Sequence, residues 1–252
     1  MPIEANRRAE GRQRRPASFC LTLRFMCANF EGVSDPMSYA RAFQIEPPVG
    51  VVKEVWPGYP SSFIRRPFEA GLGDEAVPDR EALAGIFGLI PHWAKDAKIA
   101  RHTYNARSET VSEKPSFRDA WNKSRHCIIP AQAFYEPDWR SGKAVATRIS
   151  RSDGQPMGLA GLWSLWKAPQ GKPVLSFTLL TVNANDHALM RNFHKPSDEK
   201  RMVVVLPEDS YTAWLTATVE GSMDFMRRYR DDGLVADRLT TLASSHRNAE
   251  LF

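Results

Sequence analysis

Apolar residues in this chain fall mostly in short runs bounded by turn residues, with little sustained helical periodicity. The stretches 126–130, 144–151, 157–166, 174–182 and 202–206 are rich in Val, Ile, Leu, Thr and Trp, and Gly, Pro, Asp or Asn flank them. Branched and aromatic side chains pack well on a pleated surface, so these runs predict β-strands. Residues 81–90 are mostly apolar and predict a buried strand running into Pro91. Helical signals are fewer. Asp35-Pro36 ahead of Met37, Tyr39, Ala40 and Phe43 predicts a short capped helix with proline in its first turn. Residues 116–121 after Pro115, 208–215 after Pro207, and 183–191 predict further helices. The Pro- and Gly-rich stretch 47–80 predicts mainly loop, with short strands at 50–55 and 63–65. Helices scattered among many strands, without a regular βαβ alternation, argue the α+β class. The expected architecture is a single domain with a mainly antiparallel sheet or partial barrel and peripheral helices. It runs over 26–240, between a basic extension at 1–25 and a polar tail at 241–252.

The 252 residues suffice for a core that needs no disulfide staples, and three cysteines (Cys20, Cys27, Cys127) form no disulfide framework. A reducing cytoplasm is the expected compartment. No apolar run approaches the ~20 residues of a membrane span, so no membrane partner is expected. The net charge of +5 is concentrated: residues 1–25 hold six arginines against two acids, four of those five charges. The rest of the chain is close to neutral, so any nucleic-acid site must be a local arrangement of Arg and Lys. Residues 1–25 read as a disordered tail, a targeting peptide or sequence upstream of the true start at Met26, and the ordered pattern beginning at Met26 favours the last.

Met26-Cys27 carries the most distinctive chemistry. With Met26 removed, Cys27 presents a thiol and a free α-amine on adjacent carbons. That amine has a pKa of roughly 7.7–8.0 against about 10.4 for lysine, so much more of it is nucleophilic at neutral pH. Such a pair converts an aldehyde into a Schiff base and then a thiazolidine, which an internal cysteine cannot do. Asn105 and Arg107, in a segment read as loop, offer an amide for a reacting oxygen and a fork for phosphate. Glu136 follows an apolar strand, where desolvation tends to raise a carboxyl pKa toward acid–base use. His194 lies in a loop rather than on an apolar stripe. Trp93 with Lys95 offers a stacking surface for an unpaired base beside a cation, and Arg118 a further phosphate contact. The histidines and cysteines show no zinc-ligand spacing, so no metal and no cofactor is expected. Each of these positions also has a purely structural reading.

Seven motifs appear in one order: Met26-Cys27, Gly-Leu-Ile-Pro-His-Trp-Ala-Lys-Asp (88–96), Asn-Ala-Arg-Ser-Glu-Thr (105–110), Glu-Lys-Pro-Ser-Phe-Arg (113–118), Cys-Ile-Ile-Pro-Ala (127–131), Phe-Tyr-Glu (134–136), and His194 ahead of Lys200-Arg201-Met202. Over roughly 26–215 this resembles the SRAP family, the SOS-response-associated peptidases. The resemblance implies an SRAP-like fold and an enzyme of the DNA damage response that crosslinks to abasic sites in single-stranded DNA, after removing the residues ahead of its cysteine. It implies catalytic roles for Cys27, Asn105, Glu136 and His194, a phosphate grip for Arg107 and a base platform for Trp93. The chain departs from the family where Asn29 replaces a DNA-contacting arginine and where Phe87 replaces a tryptophan, and the resemblance implies that both residues lie among the DNA contacts. A longer segment also separates His194 from Arg201. The expected partner is single-stranded DNA bearing an abasic site, bound by a monomer that joins the nucleoid with its DNA. Two alternatives come from other classes: a cysteine peptidase acting on other proteins, and a non-catalytic binder of single-stranded nucleic acid.

Overall fold

Strand β6 organises the molecule. Its thirteen residues, His126–Asp138, are buried along almost their whole length, so both faces must be covered. The computed structural model describes residues 29–50, 52–70, 76–169 and 171–238. In chain order these hold β1 (Phe30–Gly32), α1 (Pro36–Phe43), β2 (Glu54–Val55), β3 (Pro60–Arg65), β4 (Glu81–Phe87), β5 (Asn105–Arg107), α2 (Arg118–Asn122) and β6. There follow β7 (Val145–Arg151), β8 (Met157–Lys167), β9 (Pro173–Asn183), β10 (Arg201–Val203), β11 (Val205–Leu206), α3 (Tyr211–Thr216) and β12 (Leu234–Arg238).

Five of these strands close a small mixed barrel: β3, β4, β9, β8 and β6, with β6 returning to β3 through Ile64 opposite Ile128. Most pairs are antiparallel, but β4 and β5 both run parallel to β9. The expected partial barrel is thus a closed one, and closure removes the exposed edges an open sheet would leave. The interior is packed with Phe63, Phe87, Phe177 and Trp163, whose rings contact one another in turn. Beyond the barrel β6 continues within the same sheet and gains further strands on both edges. Phe134–Asp138 pair with β7, and β1 lies on the other edge of β6 with Phe30 opposite Phe134.

Local chemistry explains several boundaries. Asp35 caps α1 by accepting from the Ser38 N–H at 2.9 Å, as Asp-Pro predicted. β4 stops where Gly88 takes φ +110, a conformation other residues rarely adopt. The helix expected at 183–191 does not form. Asn183 Oδ1 accepts from the Asn185 N–H at 3.0 Å, and His187 Nδ1 accepts from the N–H groups of Leu189 and Met190. These side chains offer the backbone a turn in place of a helix, and only a 3₁₀ turn at Met190–Asn192 remains. Among the described residues no helix is long and apolar enough to cross a membrane.

Candidate active site

Glu136 and His194 are 58 residues apart in sequence and meet with His194 Nε2 3.5 Å from Glu136 Oε2. Both are buried, at 2% and 3% exposure. β6 fixes the glutamate, between Phe134 in the core and Asp138. The histidine is held by its neighbours. Phe193 is fully buried and bridges to Asp138, the His194 N–H donates to the Pro137 carbonyl at 3.0 Å, and the ring lies 3.1 Å from the Arg201 carbonyl through Nε2. His194 also has φ +62, a left-handed conformation that costs of order 1–3 kcal/mol outside glycine. The surrounding bonds hold it there. Strain of this kind, on a buried histidine beside a buried carboxyl, makes the pair a candidate site.

Asp138, two residues on, anchors this end of β6. It accepts from Arg140 Nε and Nη2 and from Arg238 Nε and Nη2, with the shortest of these contacts at 2.8 Å. The Arg140 hydrogen bonds, with help from Arg238, hold its carboxyl down at about 2, so it stays ionised through the physiological range.

The start of the described chain arrives at the same place. The Asn29 carbonyl accepts from the Tyr135 N–H at 3.1 Å, one residue from Glu136, and Asn29 is largely buried. Cys27 lies outside the described residues, as do the expected extension at 1–25 and tail at 241–252.

Asn105 and Arg107 sit on a strand, where the sequence suggested a loop. β5 pairs parallel with β9, Asn105 opposite Leu179 and Arg107 opposite Thr181. Ala106 between them is buried, which turns the Asn105 and Arg107 side chains to the other face of the strand. A chain of polar contacts joins Arg107 to the histidine. Arg107 Nη1 donates to Glu199 Oε2 at 2.9 Å, and Glu199 Oε1 accepts from Arg201 Nη1 at 2.9 Å. Arg201 in turn forks onto both oxygens of Glu109, donates to the Thr181 carbonyl, and offers its own carbonyl to His194. Arg201 is 2% exposed, and sequence reasoning gave it no role of its own. Its signal is visible only in three dimensions, because its partners come from β9 and from the segment after β5.

Trp93 is about half exposed, and its indole N–H donates to the Pro115 carbonyl at 3.3 Å. That bond ties the 88–96 motif to the 113–118 motif, beside exposed Arg118 at the start of α2. Phe87 requires a correction. Its ring is fully buried, stacked on Phe177 and edged by Phe30 and Tyr104, so it is a core residue and cannot face a DNA base.

Known proteins resemble this chain in sequence and in fold. The family model described as SOS response associated peptidase (SRAP) matches residues 26–244. The abasic site processing protein YoqW of Bacillus subtilis (strain 168) is 36% identical over 166 residues, covering 64% of this chain and 70% of that protein. The abasic site processing protein HMCES of Mus musculus is 27% identical over 140 residues, covering 44% of this chain and 40% of that protein. Among solved structures, a Bordetella bronchiseptica protein superposes with a TM-score of 0.76 at 44% identity, over 85% of this chain and all of that one. A Bacteroides thetaiotaomicron protein, at 18% identity and a TM-score of 0.70, covers 85% of this chain and 93% of its own and shares the fold.

Proposed function

Because this chain belongs to the SOS response associated peptidase (SRAP) family, we propose that it captures abasic sites in single-stranded DNA as a covalent adduct on Cys27. The observation that carries this reading is the buried Glu136–His194 pair, placed where the chain coming from Cys27 enters along β6. Cys27 precedes Asn29 by two residues, a chain reach of at most about 7 Å.

In the proposed reaction the Cys27 amine attacks the aldehyde carbon of the ring-opened sugar and gives a carbinolamine. Glu136 accepts the proton released by the amine and returns one to the departing hydroxyl, so water leaves and a Schiff base forms. The Cys27 thiol then adds to the same carbon while its proton goes to nitrogen, closing the thiazolidine. Aldehyde and aminothiol thus become thiazolidine and water, with no oxidant or cofactor consumed. The second addition is intramolecular, and proximity supplies much of its rate. His194, beside Glu136, assists opening of the sugar ring and reversal of the adduct. Asn105 holds the sugar, Arg107 the flanking phosphate, and Trp93 with Arg118 the strand beyond. The α-amine is freed by translation from Met26 and loss of that methionine, or by self-cleavage ahead of Cys27.

The test is a denaturing gel of single-stranded DNA bearing one abasic site, incubated with protein that begins at Cys27. A heat-stable shifted band is expected, and Cys27→Ala is expected to abolish it. Equal crosslinking by Cys27→Ala overturns the reading.

Glu199 adds a second expectation. Hydrogen bonds from Asn183 and Arg201, with the nearby Arg107 charge, keep its carboxyl below the usual range despite partial burial, so it is anionic where DNA phosphate is to bind. An incoming phosphate must take Arg107 from it. A half-exposed pair of this kind is worth about 0.2–1 kcal/mol, so Glu199→Gln is expected to tighten single-stranded DNA binding by up to about fivefold at low salt. Fluorescence anisotropy with an intact strand measures this. Weaker binding in the variant would show instead that Glu199 aims Arg107 at the phosphate.

A further inference from the structure

β6 carries a concave feature at its other end. His126 begins the strand and Glu136 lies ten residues along it, so the two ends are separated by roughly 30 Å at about 3.3 Å per residue. At the His126 end a cavity of about 240 Å³ is lined by Arg66, Lys123, Ser124 and Arg125 together with Phe68 and Trp163. It is several times the ~30 Å³ share of one water and just below the range of about 300–1,000 Å³ for drug-sized ligands. A phosphate with a small attached group fits that size.

Among the described residues the lining is cationic in excess of its acids. Asp119 is the acid beside Lys123 at 2.7 Å and Arg125 at 3.5 Å. Glu81 is engaged by Arg65 at 2.7 Å. Asp79 lines an adjoining smaller cleft with Arg80, and exposed Glu69 follows Phe68 in sequence. Arg66 makes no ion pair among the described residues. His126 adds no charge at neutral pH, because burial pushes its pKa down to about 4, and its Nε2 lies 2.9 Å from Ser222 Oγ.

One of these cations is held in place. The Arg125 guanidinium carbon lies 5.3 Å from the Trp163 ring centroid, so part of its ordering cost is met before any ligand arrives. Phe68 is 61% exposed at the mouth, a large apolar ring facing solvent beside a charged pocket. An exposed aromatic next to a cluster of cations suits a phosphate joined to a sugar or base.

We propose that this cavity is a second anion site, separate from the Cys27 chemistry, in which Arg66, Lys123 and Arg125 hold a phosphate group and Phe68 packs against the group that carries it. The phosphate comes either from the backbone of a nucleic-acid strand or from a free phosphorylated small molecule.

Two probes separate these sources: inorganic pyrophosphate followed by calorimetry, and an oligothymidylate without abasic sites followed by anisotropy. Each is titrated into protein beginning at Cys27 and into its Arg66→Glu/Lys123→Glu variant. Both substituted side chains are exposed, and the Arg66→Gln/Lys123→Gln pair replaces the charge-reversed one should that fail to fold. Losing two charge-assisted contacts is expected to weaken pyrophosphate binding by about tenfold or more. A matching loss for the oligothymidylate identifies the strand as the source, and an unchanged oligothymidylate affinity identifies a free phosphorylated molecule. The proposal is overturned if pyrophosphate does not bind the parent, or binds the variant equally well.

Discussion

Glu136→Gln is expected to slow covalent capture of abasic DNA by about 10²–10⁴-fold, the usual contribution of a positioned acid–base group. The substitution keeps the shape of a side chain that is 2% exposed and lies 3.5 Å from His194. It removes only the ability to take and return a proton. Addition of the amine and loss of water both require that proton, so the defect belongs in the single-turnover rate. Affinity for an intact strand, assigned in the proposal to Arg107, Trp93 and Arg118, is expected to stay within about twofold, because the substitution removes none of the proposed phosphate contacts. Rates from quenched time courses on denaturing gels, set beside anisotropy on the same strand, separate the two quantities. A parent-like rate with weakened DNA binding would make Glu136 a binding residue and remove it from the chemistry.

Gly88→Ala is expected to be the most damaging of the glycine-to-alanine substitutions. An added Cβ would sit 2.0 Å from the Ala100 carbonyl oxygen, and φ is already +110. A strained backbone costs about 1–3 kcal/mol and an overlap in packed surroundings a similar amount, so the loss is about 2–6 kcal/mol. That is a large share of a total stability of about 5–15 kcal/mol. Neither neighbour can yield cheaply. The Gly88 N–H donates to the Phe177 carbonyl at 2.8 Å, and the Leu89 N–H donates to the Thr103 carbonyl at 3.1 Å. Together these bonds hold β4 against β9 and fold the 3₁₀ turn Ala97–His102 beneath the segment that presents Trp93. Thermal unfolding is expected to shift down by roughly 10 °C, at about 2–4 °C per kcal/mol for a domain of this size. A shift of less than about 2 °C would mean that Ala100 moves aside, and that the glycine is not required by close approach.

Strands β6, β8 and β9 are legible in the sequence because each holds a continuous apolar run buried on both faces. Even so, β6 outruns its prediction by eight residues, since proline reads as a strand boundary. Pro130 and Pro137 instead keep register within the ladder, opposite Gly158 and Ala146. β1 and β5 have three residues each and no pattern of their own. Pairing with distant partners creates them, and a local reading cannot see it. That is why Asn105 and Arg107 resembled loop residues. Phe87 was misjudged for a related reason: a ring at the end of an apolar strand looks the same in sequence whether it ends in solvent or in the barrel.

At the site, the sequence identified Glu136 and His194 by chemical type and by motif order. It could not show the positive φ of His194, or that Arg201 supports it through a backbone carbonyl. Nor could it show that Glu199 pairs with Arg107. These depend on where β9, β10 and the segment joining them lie in space.

The most direct measurement compares crosslinking of abasic single-stranded DNA by two proteins, one beginning at Cys27 and one carrying a single uncleaved residue ahead of it. Both keep the same thiol, Glu136 and His194, and only the α-amine differs. The account predicts a heat-stable crosslink with the first and none with the second, intact mass confirming each N-terminus. An equal yield from the blocked protein would contradict it, because the thiol would then be acting without the amine and the thiazolidine could not form.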